Sequence, residues 1–461
     1  MAKTKEKKDI SQDLATLPVG KLLLKLAIPT VAAQLVNLLY NIVDRIYIGH
    51  MPEVGSVALT GIGLCFPVIY LISAFTMLIG QGGAPRAAIE MGRGHNSEAE
   101  RILGNCFTAL IITAIILTAA FNIWGKELLW LFGASENTII YAYPYMRIYA
   151  SGSLFVMLSL GLNLFITTQG FTSFSMISVV IGAVTNIILD PIFIYGMGMG
   201  VEGAALATVI SQGISAAFVL WFLTSKKTKL RIRKKYLIPK MKVLLPVMAL
   251  GLAPFIMQST EALINIGFNS SLQKYGGDTA VGSMTIASTI LQMVWIPAQG
   301  LGQGAQPIMS FNYGAKNPRR VKETFKVMLS ISCAFLGVFW ILVLLFPEFF
   351  IRIFNSSPEL ISEATWSIRV YMAVLGFFGI QMAIQQTFLS IGNAKAALFV
   401  AIMRKIVLLF PLIYILPRFF ENKVFAVFLA EPVSDILSIL TAIIVFSITF
   451  PKAMKAIESH G

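Results

Sequence analysis

Charge is scarce in this 461-residue chain, where Asp, Glu, Lys and Arg together supply 13% of the residues. A water-soluble domain carries roughly a quarter, because its surface must face solvent. A string of soluble domains is therefore excluded. Histidine and cysteine are scarcer still, with three of each. His50, His95 and His460 are far apart and fall in turns or the tail, which argues against a histidine metal centre. Cys65, Cys106 and Cys333 lie inside apolar runs without CxxC spacing, so they read as small buried hydrophobes rather than a disulfide framework. Also missing are a Ser-His-Asp set, an HExxH and a GxxxxGK[ST]. The chain reads as a non-enzyme that needs no cofactor and does not bind ATP through a phosphate loop.

What is present is apolar: 56% of the residues are hydrophobic. A bilayer core of ~30 Å takes about 20 apolar residues of helix. Runs of that kind fall near 20–48, 56–81, 101–124, 141–168, 174–197 and 202–224, and again near 244–269, 279–304, 321–347, 364–390, 394–416 and 424–450. The expectation is an all-α polytopic membrane protein of twelve transmembrane helices. It divides into an N-terminal segment 1–19, an N-lobe 20–224, a basic linker 225–243, a C-lobe 244–450 and a tail 451–461. The net charge of +14 concentrates at alternate connections: Lys3, Lys5, Lys7 and Lys8, a loop with Arg86 and Arg93, the linker, and a loop with Lys316, Arg319 and Arg320. By the positive-inside rule these face the cytoplasm, so both termini are cytoplasmic and the chain sits multi-pass in the cell membrane. The basic linker has no interleaved aromatic platform, which favours lipid headgroups over nucleic acid as its partner.

The halves repeat at a spacing of about 222 residues. Gly80-Gln81-Gly82, Pro85 and Gly92 recur as Gly302-Gln303-Gly304, Pro307 and Gly314; Gln34, Leu39, Asn41 and Ile42 recur as Gln258, Leu263, Asn265 and Ile266. Six is an even number of crossings, so the repeats share one topology and are related by an axis along the membrane normal. Two such lobes around a midplane cavity suit a secondary transporter.

Polar residues within the spans mark where function should lie. On helix one, Gln34, Asn37, Asn41 and Asp44 share a face, with Tyr40 among them, and Gln258, Glu261 and Asn265 repeat that stripe on helix seven. Asn186 and Asp190 share a face of helix five, and helix six carries Thr208. Counted from the outer helix ends, Asp44, Asp190 and Thr208 each lie about 6–9 Å deep. Two carboxylates meeting there need a proton or a cation between them. The second lobe differs: Phe410 replaces Asp190, Arg404 and Lys405 stand on helix eleven, and Glu431 and Asp435 stand on helix twelve, which points to buried ion pairs. Pro29, about four turns before Asp44, is a candidate hinge.

Ala27-Ile-Pro29, Asn41-Ile-Val-Asp44, the paired Gly-Gln-Gly segments, Asn186-Ile-Ile-Leu-Asp190-Pro191, Gly203-Ala-Ala-Leu-Ala-Thr208 and Leu429-Ala-Glu431-Pro432 resemble, in that order and over the whole chain, the MATE multidrug and toxin extrusion transporters. The resemblance implies alternating-access export of amphipathic, often cationic compounds, exchanged for H⁺ or Na⁺. It implies an ion site of Asp44, Asn186, Asp190 and Thr208 with the Ala204 carbonyl, a hinge at Pro29 and the acidic residue of helix seven at Glu261; the two polar stripes, Gln34, Asn37, Tyr40 and Asn41 with Gln258, Glu261 and Asn265, are expected to line the substrate cavity. Helix ten departs from the sodium-type members, showing Gln381 and Gln385 where an aspartate is expected. A monomer is anticipated. The alternatives are a lipid-linked precursor flippase of the wider superfamily and a non-transporting membrane scaffold.

Overall fold

A computed structural model describes residues 10–52, 54–354 and 358–459; Lys3, Lys5, Lys7, Lys8 and His460 lie outside the described residues. Twelve helical spans form the bundle, and no strand occurs among the described residues. In chain order they are α1 (Val19–Gly49), α2 (Val57–Gly92), α3 (Asn96–Leu131), α4 (Glu136–Ser151 plus Ser153–Thr168), α5 (Thr172–Gly196) and α6 (Gly200–Thr224). After the linker come α7 and α8, which share one helical run of 74 residues, Met241–Gly314. Such a run would be ~110 Å long if straight, nearly four bilayer cores. It turns back at Gly277, whose φ of 64° and ψ of −159° leave the helical region at a residue without a Cβ to oppose it. Then follow α9 (Pro318–Leu345), α10 (Pro358–Ser390), α11 (Ala394–Arg418) and α12 (Lys423–Glu458). A short helix, Ile10–Thr16, precedes α1.

The apolar side chains face outward, as lipid requires. On α1, Leu24, Ile28, Leu35, Leu39, Ile42 and Ile46 form one stripe, each 38–65% exposed, opposite the polar face. Three expectations need correcting. Arg86 lies within α2 rather than in a loop, because α2 runs on to Gly92. Ala84, Pro85, Ala87, Ala88 and Ile89 are buried there, and a buried backbone keeps its hydrogen bonds by staying helical. Arg319 and Arg320 open α9, Asn317 capping its first turn through Arg320 N. Cys333 is only partly buried, unlike Cys65 and Cys106.

Helix irregularities fall beside the charged residues. Five residues after Pro191 in α5, Ile192–Gly196, wind as a π-helix. Seven residues of α11, Met403–Leu409, do the same and contain Arg404 and Lys405. Such widened turns commonly mark functional positions. α1 passes through Pro29 without a break. α4 bends by 54° between its segments, where Val209 of α6 presses on Gly152 too closely for any side chain.

The lobes meet through bare backbone. A Cβ on Gly92 of α2 would collide with the Phe311 carbonyl of α8, and one on Gly314 of α8 with the Ile89 carbonyl of α2. Ile89 and Phe311 are separated by the same 222 residues as the two glycines, so the contact is reciprocal about the repeat axis. Deeper in, Gly82 and Gly251 pack α2 on α7, while Gly304 and Gly300 pack α8 against Ala27 and Val31 of α1. Thr30 adds a hydrogen bond across the lobes to the Gly300 carbonyl (2.7 Å). Asn312 and Arg320 donate to the Leu14 carbonyl of the N-terminal helix (3.0 Å each). All these contacts lie in the half of the bundle nearest the linker.

The linker is fastened to the N-lobe at several points. Gln169, fully buried after α4, accepts on one oxygen from the Thr228 hydroxyl (2.8 Å), Lys229 N (3.0 Å) and Leu230 N (2.8 Å). Glu100 accepts from Arg231 N and pairs with Arg233. Asn105 holds Lys240 N at 2.6 Å and donates to the Tyr236 carbonyl. Gln169→Leu would strand three donors at about 1 kcal/mol or more each. The purified variant is expected to melt well below wild type, whereas Lys226→Ala, at an exposed site, should not shift the transition. An unchanged melting point for Gln169→Leu would show that the linker is held some other way.

Candidate functional site

In the N-lobe, α1, α5 and α6 converge on two carboxyls. The Asp44 and Asp190 side chains are close neighbours that interact electrostatically. The Asn186 amide donates to Asp190 Oδ1 (3.1 Å) and lies 3.4 Å from the Thr208 hydroxyl. Asn186 and Asp190 are 1% and 0% exposed. Ala204 is fully buried one turn before Thr208. Three buried oxygens here, Asp44 Oδ1, Asn186 Oδ1 and Asp190 Oδ2, accept no hydrogen bond. Buried acceptors without donors are costly, and two neighbouring carboxylates repel. A proton or a small monovalent cation relieves both, and these oxygens are hard ligands suited to it. No group of three or more His, Cys, Asp or Glu that could hold a metal ion occurs among the described residues.

A cavity of about 20 Å³ adjoins this cluster, lined by Asn37, Tyr40, Asn186, Thr208 and Gln212 among others. That is room for about one water molecule. Gln212 accepts from Ser159, a pair that gives no sequence signal because neither residue is charged or repeated. Asn41 is exposed and donates to the Asn37 carbonyl within α1 (2.6 Å).

The C-lobe holds a different arrangement. Arg404 donates to Glu431 (3.0 Å) and Asp435 (3.0 Å), with all three side chains at most 11% exposed, and lies 4.4 Å from the Phe378 ring centre. Lys405 pairs with Glu261 at 2.7 Å; Lys405 is 8% exposed and Glu261 43%. The pair thus joins α11 to α7 at the cavity wall. Glu261→Gln would leave the lysine buried without its acid, costing about 2 kcal/mol or more at this partial exposure. The uncharged double variant Glu261→Gln/Lys405→Met is expected to recover most of that loss in thermal unfolding. Additive destabilisation would show the pair to be inconsequential.

Two larger cavities share a wall formed by Gln258, Trp295, Phe378, Arg404 and Lys405. One, of about 300 Å³, takes in Glu261, Asn265, Glu431 and Asp435 and reaches Tyr70 in the first half of α2, toward the end opposite the linker. The other, of about 290 Å³, lies between the lobes and takes in Gln34, Asn37 and Gln81 with Gln381 and Gln385. Pro29 lies in α1 between the residues that abut Gly304 and Gly300.

The fold and site together define a class: a two-lobed, twelve-helix polytopic membrane protein with buried charge in each lobe and a cavity between them. The family model described as MatE matches twice, over residues 29–192 and 254–415, once in each lobe. The chain belongs to the MatE family. It is 26% identical over 427 residues to the multidrug export protein MepA of Staphylococcus haemolyticus, covering 91% of this chain and 92% of that protein. To MepA of Staphylococcus aureus (strain N315) it is 25% identical over 431 residues, covering 92% and 93%. An outward-facing structure of a multidrug resistance MATE family transporter of the MOP superfamily matches with a TM-score of 0.88 at 23% identity, over 98% of this chain and 99% of that chain. A MOP superfamily transporter from Pyrococcus furiosus, described as having a binding pocket of reverse polarity, matches with a TM-score of 0.89 at 22% identity, over 98% of this chain and 99% of that chain.

Proposed function

We propose that this protein is a secondary active multidrug exporter, exchanging amphipathic, often cationic compounds for H⁺ or Na⁺ by alternating access. The observation that carries the reading is the pair of neighbouring carboxyls, Asp44 and Asp190, with three buried unsatisfied oxygens around them on Asp44, Asn186 and Asp190. A site so built is stable only when occupied, so its occupancy follows the gradient across the membrane. The export activity named for the staphylococcal relatives supports the substrate class.

With the linker and both termini in the cytoplasm, the glycine contacts close the inner half and the cavities face outward. Uptake of the ion at Asp44, Asn186, Asp190 and Thr208, with the Ala204 carbonyl at hand, resets α1 around Pro29. Substrate bound along Gln34, Asn37, Tyr40, Asn41, Gln258, Glu261 and Asn265 loses its partners and leaves. Return to the inward-facing state releases the ion, and a monomer suffices for the cycle. The lobes so defined run through residues 20–224 and 244–450.

Ethidium efflux from proteoliposomes tests this under an imposed pH gradient and, separately, an imposed Na⁺ gradient. Efflux driven by either supports the exporter and names its ion. Efflux under neither, with folded protein, overturns it in favour of a flippase of anionic lipid precursors, for which Arg404 and Lys405 on the cavity wall would be the headgroup contacts.

A further inference from the structure

The cavity between the lobes differs in polarity from the carboxylate sites. No carboxylate lines it, and its charged side chains among the described residues are Arg404 and Lys405, whose acidic partners line the neighbouring cavity instead. Amides take their place. Gln34 and Gln258 occupy repeat-related positions on α1 and α7, and Gln81 and Gln303 on α2 and α8. Gln34 donates to Gln303 across the lobes at 3.1 Å. The symmetry-related bond, between Gln258 and Gln81, is not made, although both side chains line the cavity.

On α10, Gln381 and Gln385 stand one turn apart and are 4% and 8% exposed. Both side-chain oxygens accept no hydrogen bond. The Gln385 amide nitrogen is committed to the Ala397 carbonyl (3.1 Å), which fixes which end of that amide is the free oxygen. Two buried acceptors on one helix face, each costly to leave unpaired, call for a ligand that donates.

We propose that this cavity is a subsite for uncharged amphiphiles bearing N–H and O–H donors, such as carboxamides, ureas and alcohols. Gln381 and Gln385, whose oxygens are enclosed at the cavity wall, turn to accept from the ligand, Gln81 and Gln258 complete the broken amide pair through it, and its aromatic body packs on Trp295 and Phe378. A cation in the same place finds no carboxylate on the lining, because Glu261, Glu431 and Asp435 line the neighbouring cavity and are held by Arg404 and Lys405. The inference deepens the exporter reading and rests on it for transport, but the binding step is measurable without transport.

Equilibrium dialysis of the purified full-length chain with three radiolabelled probes tests it. Chloramphenicol is uncharged and donates through one amide and two hydroxyls, its diacetate has the hydroxyls masked, and tetraphenylphosphonium is a cation with no donor. The expected result is diacetate binding about tenfold weaker than the parent, the value of one well-placed bond to a buried acceptor. Gln381→Met, which keeps the side chain's length, should weaken the parent about tenfold, collapse the gap between parent and diacetate, and leave tetraphenylphosphonium within about twofold. A gap that persists in Gln381→Met would come from the diacetate's bulk and would overturn the proposal. So would equal loss of all three probes, or no chloramphenicol binding by wild type. If chloramphenicol fails to bind while ethidium efflux survives, this subsite falls and the exporter reading stands.

Discussion

Asp190→Asn is expected to reduce gradient-driven ethidium efflux to the leak rate of empty proteoliposomes, with membrane yield and gel-filtration profile unchanged. The side chains are nearly isosteric, and Asn186 can still donate to the remaining oxygen at residue 190 (3.1 Å in the native pair). Only the charge and the protonation site disappear. An N-lobe that has lost one of two neighbouring carboxyls no longer needs an ion to hold it together, so the lobe ceases to sense the gradient. Asp44→Asn should behave the same way, because the two carboxyls work as one unit. Normal efflux by either variant would remove the cluster from the mechanism. Asn186→Ala offers a graded control: it deletes one ligand and one donor while keeping both charges, so slowed rather than abolished efflux is expected.

The second large effect is at the lobe contact. Gly92→Ala/Gly314→Ala places a methyl group from each lobe against a backbone carbonyl of the other. Backbone cannot swing aside as a side chain does, so the clash at about 1–3 kcal/mol per site falls on the closed contact and not on either lobe. Two such terms shift the equilibrium about 30-fold or more toward the state open at the linker end. Spin labels at His95 and Arg319, both exposed at that end, should report a longer distance by pulsed EPR, and ethidium efflux should fall. An unchanged distance distribution would mean that the lobes do not part along this seam.

Why some of this is legible in the chain and some is not follows from the kind of signal each feature leaves. Apolar runs and a 222-residue repeat are written in composition, and an even number of crossings fixes the relation of the lobes. The helix rise is constant, so counting residues suffices to put Asp44, Asp190 and Thr208 at one depth. Helix ends are less legible: Arg86 and Arg319 suggest loops because they are charged, yet α2 and α9 extend beyond the hydrocarbon. Uncharged polar residues leave the faintest trace. Gln169 gives no hint that three donors converge on it, since those donors belong to a segment 59 to 61 residues away. Gln381 stands out only as a missing aspartate, and its free oxygen emerges only once α10 is packed in the bundle.

The fastening of the linker bears on how the protein is made. When Thr224 closes the sixth helix, the buried acceptors Glu100 and Gln169 still await donors that lie in residues 228–233. At ~5–20 residues per second, the sixteen residues from Ser225 to Lys240 take about one to three seconds to synthesise. For that interval the nascent N-lobe has an unfilled polar groove at the membrane surface, a place for an insertase or chaperone to hold. Once Lys240 N reaches Asn105, the groove is sealed, and the next helix enters the bilayer from a point already fixed on the finished half.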